Sequence, residues 1–98
     1  MSRIDVSCAP SPDGWTCRVE VADEGSATTH RVTVGAADLA RLDPSAADPT
    51  DLVRRSFAFL IEREPKESIL STFELTVIGR YFPDWERLIR PDAGASGR

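Results

Sequence analysis

Trp15-Thr16-Cys17-Arg18-Val19-Glu20-Val21 is the stretch that decides the fold. Its apolar residues fall at every second position, so in an extended chain Trp15, Cys17, Val19 and Val21 share one face. Thr16, Arg18 and Glu20 share the other. Both neighbours repeat the pattern. Ile4, Val6 and Cys8 alternate with Asp5 and Ser7 before it, and His30, Val32 and Val34 alternate with Arg31 and Thr33 after it. The connectors are turn chemistry: Ala9–Gly14 carries two prolines and an Asp-Gly pair, and Asp23–Ala27 carries Glu24-Gly25-Ser26. This pattern predicts a three-stranded antiparallel meander.

A common register fits both hairpins. Pairing Cys8 with Trp15 sets Val6 against Cys17 and Ile4 against Val19. Pairing Val21 with Thr28 sets Val19 against His30, Cys17 against Val32 and Trp15 against Val34. A slip by one residue would turn the whole apolar set into water, so the face is strongly specified. The opposite face is charged, as expected of an antiparallel sheet covered on one side only.

The remainder reads as helix. Ala36–Leu42 has room for two turns before Asp43-Pro44. Asp48-Pro49-Thr50-Asp51 is a helix start, with Asp48 as cap, Pro49 in the first helical position and Asp51 adding negative charge to the first turn. Leu52, Val53, Phe57, Leu60 and Ile61 then recur at helical spacing, joined by Phe59, until Pro65 disfavours helical geometry at Glu64. Ile69, Leu70 and Phe73 predict a short third helix. Leu75, Val77, Ile78, Tyr81 and Phe82 continue, with Gly79 a weak point, and Pro83 opens a last turn or two carrying Trp85, Leu88 and Ile89. The expected order is β-β-β-α-α-α-α. That is an α+β fold in which three to four C-terminal helices cover one face of the meander. Residues 1–90 form the expected single domain, and Pro91–Arg98 the expected disordered tail.

Composition sets limits. A chain of 98 residues accommodates one core and little more. Net charge is −4, and the excess lies before Thr50, where acids outnumber Arg3, Arg18, Arg31 and Arg41; after it acids and bases balance. Lys66 is the only lysine, and an Arg-over-Lys bias with abundant Ala matches a bacterial genome of high GC content. The absence of a basic stripe disfavours nucleic acid as a partner. Met1–Ala9 lacks the apolar run of a secretory signal, and no segment has the length of a membrane span. Two cysteines without an export signal place the expected location in the reducing cytoplasm.

The block Phe57-Ala58-Phe59-Leu60-Ile61-Glu62-Arg63-Glu64-Pro65-Lys66-Glu67-Ser68-Ile69-Leu70, followed by Phe73 and Val77-Ile78-Gly79-Arg80-Tyr81-Phe82-Pro83, resembles a stretch shared by a group of small bacterial proteins without an assigned activity. The resemblance reaches more loosely back to His30–Val34. It implies a standalone protein and transfers no catalytic residue.

The polar constellations favour structural roles. Cys8, Cys17 and His30 share the apolar face, but a structural zinc site wants a fourth ligand and no further Cys or His exists. In the register above the two cysteines are diagonal neighbours at about 7–8 Å, which disfavours a disulfide and leaves them as small core hydrophobes. His30, flanked by apolar residues, reads as structural. Glu62, Glu64 and Glu67 interleave with Arg63 and Lys66 around Pro65, as at a solvated helix end, where i,i+4 pairing of Glu62 with Lys66 and of Arg63 with Glu67 is interrupted by the proline. No glycine-rich phosphate loop, nucleophile elbow or metal-binding helix motif occurs. No cofactor, metal ligand or catalytic residue is assigned.

Tyr81-Phe82-Pro83-Asp84-Trp85, flanked by Arg80 and Arg87, places three large aromatics within five residues. Such residues are enriched at binding hot spots, and they also close small cores. Arg80, Tyr81, Phe82, Trp85 and Arg87 are therefore the candidate partner surface. The preferred reading is a non-enzymatic interaction or regulatory domain that binds a protein partner or a second copy of itself. The alternative is a DNA-binding regulator of ribbon-helix-helix type, in which Thr29, Arg31 and Thr33 would read bases. A small enzyme using Cys17 or the Glu62–Glu67 corner is the second alternative.

Overall fold

A computed structural model describes residues 2–90. The expected tail, 91–98, lies outside the described residues. Strands β1 (Arg3–Ser11), β2 (Gly14–Asp23) and β3 (Ser26–Gly35) form the antiparallel meander. Helices α1 (Ala36–Leu42) and α2 (Thr50–Ile61) follow, and a 3₁₀ turn over Lys66–Ser68 leads into a further strand, β4 (Thr72–Glu74). A second 3₁₀ turn, Leu75–Val77, runs into α3 (Ile78–Tyr81), and α4 (Trp85–Ile89) closes the chain. The sheet is four-stranded, in the order β1-β2-β3-β4.

The β2–β3 register is the expected one, with Val21 opposite Thr28, Val19 opposite His30 and Cys17 opposite Val32. The first hairpin differs. Cys8 lies opposite Cys17, not Trp15, and Val6 faces Val19. The strands continue through Pro10 to a two-residue turn at Pro12-Asp13, so β1 is displaced by two residues. Pro10 is admissible because β1 is an edge strand, where a missing N–H need not cost a ladder bond. A shift of two keeps every side chain on its own face, which is why the face assignment holds although the register does not. Gly14 is required by close approach: a Cβ there would meet the Val34 carbonyl oxygen at 2.1 Å and the Ala36 nitrogen at 2.8 Å.

Helix α2 starts where Asp48 accepts the Thr50 N–H at 2.9 Å, and Val53 N–H closes the first turn on the Pro49 carbonyl. Its buried face carries Leu52, Val53, Ser56, Phe57, Phe59 and Leu60. The core lies between this face and Cys17, Val19, Val21, Val32 and Val34 of the sheet, all nearly or fully inaccessible.

The expected third helix does not form. Phe73 is instead the central residue of β4, opposite Val32 in a parallel pairing with β3. Pro65 ends the helical run, and the free backbone edge of β3 supplies the pairing that a short helix would otherwise need. Burial of Phe73 is common to both readings, so the apolar pattern alone did not separate a three-residue strand from a helical turn.

Candidate partner surface

The residues that sequence singled out at the C-terminal end divide sharply. Trp85 is fully buried, and its indole N–H donates to Ser56 Oγ at 3.0 Å. Ser56 in turn donates to the Leu52 carbonyl at 2.8 Å. Gly79 packs against the indole, where a Cβ would touch it at 3.4 Å. Helix α4 is clamped further by Arg41 to Glu86 at 2.8 Å and by Arg55, which reaches the Ile89 carbonyl and pairs with the buried Asp43 at 2.7 Å. Trp85 therefore closes the core and is withdrawn from any contact surface.

Tyr81 stays in water, 69% exposed, and Arg80 and Arg87 are exposed with it. Phe82 is half-buried, edge-on to Phe59 at 5.6 Å, and the Arg63 guanidinium lies over the Phe59 ring, 3.7 Å from its centroid. Between the C-terminal half of α2, β4 and α3 runs a groove of about 410 Å³, lined chiefly by Leu60, Ile69, Leu70, Phe73, Tyr81 and Phe82. Leu70, half exposed, lines it together with Tyr81. Sequence reasoning placed Leu70 on a buried helix and so missed it. Its position just ahead of a strand, not in a helix, is what turns it outward.

The polar groups are committed elsewhere. Cys8 and Cys17 form a disulfide, a correction that follows from the displaced register: directly opposed residues replace diagonal ones, with Cα atoms 4.0 Å apart. The expectation of a reducing compartment rested on two cysteines without an export signal, and a disulfide between them does not support it. His30 is buried, with Nδ1 2.8 Å from the Leu70 carbonyl and Nε2 2.8 Å from Thr28 Oγ1. A carbonyl can only accept, so Nδ1 carries the proton toward Leu70. His30 thus pins the start of β4 to β3, and its ring packs at a tilt against Phe57, with centroids 5.3 Å apart.

Lys66 is buried to 6% exposure and donates to Asp23 and Glu67 carboxylates at 2.8 Å and to Ser26 Oγ at 2.7 Å. These bonds hold Asp23 and Glu67 below their ordinary carboxylate range and raise Lys66 above its own. The corner expected to be solvated is thus a bolt between the β2–β3 turn and the segment before β4. Arg63 pairs with its neighbour Glu62 at 3.4 Å.

Comparison with protein-family models, curated proteins and solved structures finds no match to this chain. Among the described residues no helix is long and apolar enough to cross a membrane.

Proposed function

We propose that this domain is a non-enzymatic interaction or regulatory module that receives an extended, apolar-anchored segment of a protein partner in the Tyr81 groove. The supporting observation is the groove itself, with Tyr81 and Leu70 both lining it and left exposed while every other aromatic is at least partly buried. Its volume falls within the range of sites that take a few side chains. Phe73 lines it from β4, the terminal strand of the sheet, so a segment pairing along that edge would direct alternate side chains into it. Against chemistry stands the engagement of Cys17, His30 and Lys66 in structural bonds. Against a ribbon-helix-helix ribbon stands the position of β3, which lies between β2 and β4 and whose central residues Arg31–Thr33 are already paired with β4.

Panning of a random peptide library on the native domain tests the reading. Peptides with alternating apolar residues should be enriched, should protect amides of residues 69–82 from exchange, and should bind roughly tenfold or more weakly to Leu70→Asp or Tyr81→Ala. Enriched peptides that protect another face, or none enriched, would refute it. Sedimentation of the free domain separates the second-copy case: dimers lost on Leu70→Asp would make another copy of this chain the occupant.

A further inference from the structure

The uncovered face of the sheet carries an arrangement unrelated to the groove. Arg18 of β2 and Arg31 of β3 are directly opposite each other, and the same row continues to Ser7 on β1 and Thr72 on β4. Both arginines are exposed and point away from the core. Among the described residues neither is in an ion pair, whereas Arg3, Arg41, Arg54, Arg55, Arg63, Arg87 and Lys66 each have a carboxylate. Like charges directly opposed across two strands repel, so this pairing costs the free protein stability. It stands in a chain whose net charge is −4 and most of whose other described cations are paired with a carboxylate.

The pair lies in a shallow concavity of about 600 Å³, and hydroxyls surround it: Ser7, Thr16, Thr29, Ser71 and Thr72. Two guanidinium forks with neighbouring O–H donors match the oxygens of one doubly charged phosphate, each fork taking a pair of oxygens. A monocarboxylate would leave one of the two charges uncompensated. The positive ground is also bounded. Asp5 and Glu20 occupy the row two residues away on β1 and β2, and Glu74 of β4, opposite Thr33, lies on the other side. No aromatic residue belongs to this face, so nothing offers a base a stacking surface. A phosphate polymer would meet carboxylates on both sides of the single basic row.

We infer that Arg18 and Arg31 form a binding site for one compact phosphate dianion, either inorganic phosphate or the phosphoryl group of a small monoester. The test is a titration of the full chain, followed by the Arg Nε–H resonances and the melting temperature. Inorganic phosphate and phenyl phosphate are the probes, with chloride at matched ionic strength as control and a short single-stranded oligonucleotide as competitor class. Saturable shifts of both arginines, at phosphate concentrations at least about tenfold below any response to chloride, are expected. Tighter binding of phenyl phosphate assigns the site to an organic monoester, and equal binding to inorganic phosphate. Arg18→Gln and Arg31→Gln should each weaken binding roughly tenfold or more while melting no lower than the parent in phosphate-free buffer, because each removes a repulsion. No saturation by about 20 mM phosphate, the same response to chloride, unchanged binding in either variant, or tighter binding of the oligonucleotide would overturn the inference.

Discussion

Ser56 and Trp85 show what a single buried hydroxyl controls. Ser56→Ala leaves the indole N–H without an acceptor in a site that excludes water, which should cost about 1–3 kcal/mol in urea unfolding. Trp85→Phe removes the donor as well as part of a ring, and the double variant should cost less than the sum of the two singles, because the unpaired N–H is then gone. Lys66 makes a prediction about pH. Asp23 and Glu67 are depressed by Lys66, so their contribution is present above the ordinary carboxylate pKa of about 4 and is lost as pH falls through their lower folded values. Lys66 itself is raised, so its contribution is present below about 10.4 and is lost as pH rises through the folded value. Thermal melts of Lys66→Met across this range should therefore show a flatter decline than the parent at both extremes. Neither cluster was legible as such in the sequence. Ser56 falls between apolar helix positions and signals nothing, and Lys66 is linked to Asp23 across 43 residues. Local spacing reports only partners three or four positions away.

Among the elements, the first hairpin is the most instructive. Alternation fixed which face each residue of β1 occupies, but not how far β1 slides along β2, because a two-residue shift leaves the alternation intact. The Pro12-Asp13 turn fixes it. The difference decides whether Cys8 and Cys17 are diagonal or opposed, and hence whether a disulfide forms. Closing a loop with this separation of 9 residues constrains the unfolded chain by roughly 2.5–3 kcal/mol in the loop-entropy account. Cys8→Ala/Cys17→Ala should lose about that much in denaturant unfolding, with a melting temperature unaffected by added reductant, unlike that of the parent. The ends of α1, the start of α2 and the Trp85-bearing turn all followed from local signals: Asp43-Pro44, Asp48-Pro49 and Pro83. β4 did not, since its existence depends on the edge of β3, and no property of Thr72-Phe73-Glu74 records that edge.

At the scale of the whole molecule, the domain has two uncovered regions of opposite character. The groove beside Tyr81 is apolar, and the outer sheet face around Arg18 and Arg31 is polar. They are separated by the sheet itself, so Leu70→Asp should leave the phosphate titration unchanged, and Arg31→Gln should leave peptide binding unchanged. Coupling between them would need movement of β4, which borders both. That strand also sets a sequence of events in time. The meander has all its partners, the cysteines included, once Gly35 has been made. The contacts that hold β4, from His30 to the Leu70 carbonyl and from Arg31 N–H to the Ser71 carbonyl, join residues 40 apart and wait until Ser71 has been made. Contacts so far apart close late, after α2 has docked. Phe73→Ala should accordingly speed unfolding and leave the folding rate nearly unchanged in stopped-flow chevrons. During synthesis the edge of β3 stands open for that whole interval, a template on which another nascent chain could pair. The hazard of misassembly for this protein is thus greatest at its birth, and the last strand to arrive lowers it by covering Arg31–Thr33.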